Sequence, residues 1–177
     1  IIVRSTSPTP MISTTARRAS LAITSPAPSA WRRGEVPLYM VVTPDYKGWM
    51  LFFYDNGKCA KVPLSSYETK QNRRKLLKAY SDKAELAFMR HLPEETELAI
   101  FTTNNRLLLV GSALIPEKTT RDTAGVSVVA LKKNAKIARV TLAEGLELND
   151  APRYRVRTLP AAGAILKDDD RAEQLTL

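Results

Sequence analysis

Apolar residues in the middle of the chain gather into short continuous runs that come in pairs. "WMLFFY" and "KCAKV" flank Asp55, Asn56 and Gly57, while "ELAIFTT" and "RLLLVG" flank Asn104 and Asn105. Asn and Gly accept the positive φ that a tight hairpin turn demands, so each pair predicts a β-hairpin. Runs such as Met50 to Phe53 and Leu107 to Val110 are apolar at every position, which suits central strands buried on both faces.

The stretch that follows the first hairpin, "VPLSSYETKQNRRKLLKAYS", reads two ways. Leu76, Leu77, Tyr80 and Ala84 fall at helical spacing. Sliding the sequence against itself favours strands instead, because a fixed period marks stacked supersecondary units. At an offset of 48, Phe53 meets Phe101, Asn56 meets Asn104, Val62 meets Val110, Lys70 meets Lys118 and Arg73 meets Arg121, with Lys58 facing Arg106. Three extra residues later the match resumes at 51, where Ala79, Ala84 and Ala87 meet Ala130, Ala135 and Ala138. In the second copy this segment is "GVSVVALKKNAKIARVTL", two β-branched runs around a polar turn, which predicts a hairpin. By analogy "KLLKAYSDKAELAFMR" is expected as two strands around Ser81, Asp82 and Lys83.

Each unit then has four strands, with a long polar loop (65–74 and 116–123) between the second and the third. Tandem four-stranded units suggest blades of a propeller. The fold expected is all-β: a partial β-propeller or β-pinwheel of two four-stranded blades over residues 39–150. Flanking strands complete it, and "VPLYMVVTPDY" reads as a strand from a preceding blade. Residues 151–177 are expected as a C-terminal strand and acidic tail, in which Asp168, Asp169 and Asp170 are a solvated run and not a metal site.

Composition changes the picture at two places. Residues 1–38 are rich in Ser, Thr, Pro and Ala, with five Arg and no acid before Glu35, and cannot bury enough surface to order themselves. They are expected as a low-complexity tail, either a disordered linker or an out-of-frame translation joined to a genuine domain. The 177 residues carry a formal charge of +9. The excess lies in the tail and the middle: residues 45–142 hold 17 basic and 10 acidic side chains, whereas 143–177 hold 5 and 7. Such an excess favours an anionic partner. With one cysteine, Cys59, and one histidine, His91, there is neither an internal disulfide nor a metal-ligand cluster, and both residues are expected in structural roles, as is Trp49. No run approaches the roughly 18 apolar residues of a membrane span, and a cytoplasmic location is expected.

Lys and Arg neutralise phosphates and release condensed counterions, a gain that grows with the number of contacts and ignores base sequence. The candidate residues are Lys70, Arg73, Arg74, Lys75 and Lys78 in the first basic loop, and Lys118 and Arg121 in the second. Lys58, Arg106, Lys132 and Lys133 join them at hairpin turns. The rival reading is a propeller-type interaction scaffold whose basic loops bind an acidic protein.

"YDNGKCAKVPLSSYETKQNRRKLLKAYSDKAEL" and "TTNNRLLLVGSALIPEKTTRDTAGVSVVALKK" resemble the C-terminal part of the A subunit of bacterial type IIA topoisomerases, the DNA gyrase and topoisomerase IV family. The shared phrase is a turn with Gly or Asn, a basic residue, an apolar strand, a Ser-containing corner, a basic loop, then "GV" and another strand. Residues 39–177 carry the resemblance, and "RVRTLPAAGAILKDDD" is similar to a family tail. It implies a β-pinwheel whose basic rim binds and bends duplex DNA. Cleavage, and the ATP and Mg it uses, would belong to the rest of the A subunit and to the ATPase B subunit, so no catalytic residue and no cofactor is carried over to this stretch. Gln71, Asn72, Arg73 and Arg74 start like the gyrase wrapping motif, but Lys75 and Leu76 stand where its glycines would be. That departure points toward topoisomerase IV or an unassigned A subunit.

Overall fold

A computed structural model describes residues 2–5, 36–41, 43, 45–68 and 78–172. The two hairpins form as the pattern predicts: β3 (Trp49–Tyr54) with β4 (Lys58–Pro63), and β6 (Glu97–Thr102) with β7 (Arg106–Gly111). Their turns place Gly57 and Asn105 at φ of 82° and 59°. An antiparallel third strand lies beside the first of each hairpin, β5 (Leu86–Leu92) on β3 and β9 (Ile137–Leu142) on β6. The sequence repeat survives in the register. Phe53 faces Phe88 and Phe101 faces Arg139, with an irregularity just after each, between Phe53 and Tyr54 and between Phe101 and Thr102.

The fourth strand of each sheet comes from further along the chain. Val126–Ser127 (β8) pairs with β4, and Ala164–Ile165 (β10) pairs with β7. Among the described residues this gives two four-stranded antiparallel sheets, ordered β5-β3-β4-β8 and β10-β7-β6-β9. The fully apolar runs are the central strands of these sheets, and Met50 to Tyr54 and Leu107 to Val110 are all buried.

Two expectations are corrected. "GVSVVALKKNAKIARVTL" is not a hairpin: β8 completes the first sheet and β9 starts an edge of the second, so residues 128–136 form a crossover. Local pattern cannot distinguish these outcomes, because both need two β-branched runs around a polar link; the open edge of β4, with its unpaired N–H and C=O groups, decides. Likewise only the second half of "KLLKAYSDKAELAFMR" is a strand, β5. Residues 78–85 run without strand or helix, and 75–77 lie outside the described residues. β2 (Val36–Met40) is a strand, as "VPLYM" suggested, but its partner is β1 (Ile2–Ser5), a pairing the reading of residues 1–38 as a tail did not anticipate.

Three apolar layers hold the sheets. Leu51, Phe53, Cys59, Leu98, Ile100, Leu108, Val110 and Val140 are buried together in the layer that joins the two sheets. Each such side chain contributes about 1.5–3 kcal/mol on burial. The outer face of the first sheet (Met50, Phe52, Tyr54, Val62) is covered by Tyr39, Tyr46, Tyr80 and Ala84, and that of the second (Ala99, Leu107, Leu109) by Tyr154, Leu146, Leu148 and Leu166. Burial pushes the Tyr54 hydroxyl up to about 12 and raises the Cys59 thiol further, so that this cysteine stays protonated.

The acidic run is not wholly solvated. In the short helix Asp168–Ala172, Asp170 is 0% exposed and accepts hydrogen bonds from the Tyr154 hydroxyl (2.5 Å), the Asn149 backbone N–H (2.8 Å) and the Asn149 side-chain amide (3.2 Å). The Tyr154 bond is the chief cause that holds its carboxyl below the ordinary range. Asp170→Ala is therefore expected to lower stability by about 2–3 kcal/mol, because it leaves the buried tyrosine and amide donors unpaired. Urea denaturation checks this, and a midpoint unchanged from wild type would show that the latch is not structural.

Candidate nucleic-acid interface

Among the described candidates, Lys78, Lys118 and Arg121 lie at one end of the first sheet and Lys58, Lys132 and Lys133 at the other, while Arg106 lies on the second sheet. Beyond the C-terminal end of β4, the corner Leu64–Tyr67 turns the chain into the first basic loop. Lys70, Arg73, Arg74 and Lys75 lie outside the described residues. Both described flanks of that loop touch the second one, however: Ser66 Oγ donates to the Thr119 carbonyl (3.3 Å), and Lys78 Nζ pairs with Asp122 (3.6 Å). Arg121 sits between them, its guanidinium 6.0 Å from the centre of the Tyr67 ring. The Lys118 N–H donates to the Lys61 carbonyl (2.8 Å), which fixes the start of the second loop on β4. The described flanks of the first loop are thus neighbours of the second, although they belong to different repeats.

At the other end, about 20 Å away along a six-residue strand, lie Lys58, Lys132 and Lys133. The crossover carrying the last two is tied to the hairpin tip, where Val128 and Val129 donate to the Gly57 carbonyl (3.0 and 2.9 Å). Lys132 and Lys133 are exposed on a turn that ends in Asn134 at φ 63°. Nearby Lys136 is engaged by Asp55 (2.9 Å) and Glu85 (3.6 Å). Arg106 is half-buried, and its Nη1 donates to the Gly163 carbonyl (2.6 Å), a contact that ties β10 to β7.

One cation that the sequence did not single out is central to the architecture. Lys61, 2% exposed in the middle of β4, pairs with Glu95, donates to the Ser112 carbonyl (3.2 Å) and lies 4.4 Å from the Trp49 ring centre. Ser112 Oγ also donates to Glu95 and accepts the Thr96 N–H (2.9 Å). Burial raises the Glu95 carboxyl, but the Lys61 and Ser112 hydrogen bonds and the lysine charge outweigh it and leave it below its ordinary value. Beside this group Trp49 Nε1 donates to Glu117 (2.6 Å). The equivalent position on the second sheet, Glu97, takes a bidentate contact from Arg155 (2.6 and 2.9 Å). Exposed pairs of this kind are worth about 0–1 kcal/mol, so they set how the incoming segment docks, while the apolar layer supplies the cohesion. In sequence, Lys61 is one polar residue within "KCAKV", with no signal of its burial.

No protein-family model and no curated protein matches this chain. Solved structures do. The C-terminal domain of DNA topoisomerase IV aligns at 20% identity with a TM-score of 0.61, over 77% of this chain and 48% of that one. The fold is that of a type IIA topoisomerase C-terminal domain. The E. coli ParC C-terminal domain aligns at 11% identity (TM-score 0.59, 78% and 63% covered), and that of DNA gyrase A at 14% (0.54, 76% and 49%). This β-pinwheel chain therefore spans roughly half to two thirds of the length of the domains it matches. β8 lies between β7 and β9 in the chain yet completes the first sheet, so the two sheets are not self-contained blades. No helix among the described residues is long and apolar enough to cross a membrane.

Proposed function

We propose that this chain binds duplex DNA without sequence preference and bends it, as the C-terminal part of a type IIA topoisomerase A subunit. The cutting and resealing that change DNA topology are assigned to the rest of that A subunit with its ATPase partner subunit. One observation carries the reading: in a fold shared with domains of DNA topoisomerases, Arg121 is held over Tyr67 where the second basic loop meets both described flanks of the first. Contacts from neighbouring repeats at one rim let a duplex gain phosphates as it curves, which offsets the bending energy. Lys58, Lys132 and Lys133 at the other end, and the strongly positive middle of the chain, extend the same attraction.

Fluorescence anisotropy of a labelled duplex across a salt series tests this. Log K is expected to fall linearly with log salt, by about 0.9 per phosphate contacted. Arg73→Glu combined with Arg121→Glu should flatten the slope and weaken binding to all sequences alike, and energy transfer between the duplex ends should report the bend. Binding indifferent to salt and to both substitutions, with an acidic protein bound instead, would favour the scaffold reading.

A further inference from the structure

Residues 155–167 repeat on the second sheet what 117–129 do on the first. Arg155 makes a parallel bridge to Leu109, as Glu117 does to Lys61. Gly163 and Gly125 then take up positive φ, 70° and 74°, and lead into β10 on β7 and β8 on β4. The loops between bridge and glycine, 118–124 and 156–162, have the same length. Near its end each touches an earlier segment of the chain: Asp122 meets Lys78 (3.6 Å), and Ala161 exchanges hydrogen bonds with Val128 and Ala130 (3.1 and 2.9 Å), just after β8. The repeat at offsets of 48 and 51 does not reach this third copy, which follows the second by 38. Its trace in the sequence is "GAIL" against "GVSV".

We propose that Arg157 is a further phosphate contact, one sheet on from Arg121. The inference rests on the duplex-binding reading and adds to it a step on the second sheet. Arg157 is exposed on a loop whose counterpart carries Lys118 and Arg121. Its neighbour Arg155 is already neutralised by Glu97, and among the described residues no carboxylate pairs with Arg157. Sheets packed face to face lie about 10 Å apart, and a duplex rises about 3.4 Å per base pair. Loops on successive sheets would therefore meet phosphates roughly three base pairs apart, a spacing one continuous strand can supply.

The test compares salt slopes for the whole chain on a labelled duplex. Arg157→Gln is expected to reduce the slope by about 0.9, and Arg157→Lys, which keeps the charge, to restore it. Lys83→Gln removes the same charge from an exposed site next to β5, at the opposite edge of the first sheet, and should leave the slope unchanged. If the wild-type chain binds with a salt-dependent slope and Arg121→Glu reduces it while Arg157→Gln does not, the inference is overturned and the duplex reading stands. Equal losses from Arg157→Gln and Lys83→Gln would also overturn it, since net charge alone would then be responsible. If the wild-type chain does not bind duplex, both fall.

Discussion

Gly125→Ala is expected to destabilise the fold by about 2–5 kcal/mol. Gly125 has φ 74°, a conformation that costs an L-residue about 1–2 kcal/mol. A Cβ there would also press on the Cys59 carbonyl and come within 2.6 Å of the Ala60 nitrogen. Both are backbone atoms of a central strand buried on both faces, so neither can move aside, and overpacking of this kind adds about 1–3 kcal/mol. Two other glycines provide a scale. At Gly163, φ 70°, the nearest atoms belong to the Leu108 side chain (2.6 and 2.7 Å), which can partly yield, although the Leu107 carbonyl follows at 2.8 Å. At Gly145, φ 85°, nothing lies within 4 Å, so only the backbone penalty applies. Urea midpoints should therefore fall in the order Gly145→Ala, Gly163→Ala, Gly125→Ala, the last lowest. Equal losses at the three sites would show that the close approach of the donated strand to β4 is not what the first glycine serves.

Glu95→Ala is expected to cost about 2–4 kcal/mol, because it strands the Lys61 ammonium inside the joint between the sheets. Breaking a buried pair by removing one partner typically costs about 3–5 kcal/mol. The lower range applies here since Glu95 is 39% exposed and water can take part of its place. Lys61→Met removes the buried charge with little change of volume, and such replacements are often neutral or stabilising. Glu95→Ala should then cost little in the Lys61→Met background, and a double-mutant cycle measures the coupling. Acid titration gives an independent check. The folded-state carboxyl lies below its ordinary value of 4.5, so its contribution is present above that value and lost as pH falls through the folded one. Lys61→Met should reduce this acid-induced loss. If the acid limb of the stability profile is the same with and without Lys61, the pair does not hold the sheets together.

The two effects differ in kind, and both concern the seams between repeats. The first prevents the incoming strand from docking on β4; the second disturbs the ion pair behind that same strand. Neither touches the exposed cations proposed to meet DNA. Loss of stability and loss of DNA affinity should consequently separate: Arg121→Glu and Arg157→Gln alter salt dependence in a folded protein, whereas Gly125→Ala lowers the folded fraction without changing the slope of what remains.

Much of this was legible in the chain itself. Paired apolar runs around Asn and Gly marked Trp49–Tyr54, Lys58–Pro63, Glu97–Thr102 and Arg106–Gly111 as strands, and stretches apolar at every position, Met50 to Phe53 and Leu107 to Val110, have to be covered on both faces. Asn and Gly at Gly57 and Asn105 marked their turns, because positive φ is a local requirement that local chemistry reveals. The repeat aligned Arg121 with Arg73 in the sequence, and Arg73 lies outside the described residues. What the tertiary structure alone decided is where each short strand finds its partner. Val126–Ser127 and Ala164–Ile165 are too brief to carry a pattern, and their destination depends on which hydrogen-bonding edge is open and which glycine lets the backbone approach it. The burial of Lys61 and Asp170 was invisible for the same reason: a charge can be enclosed only when groups distant in sequence converge on it, and Glu95, Ser112, Asn149 and Tyr154 do so only once the sheets have closed.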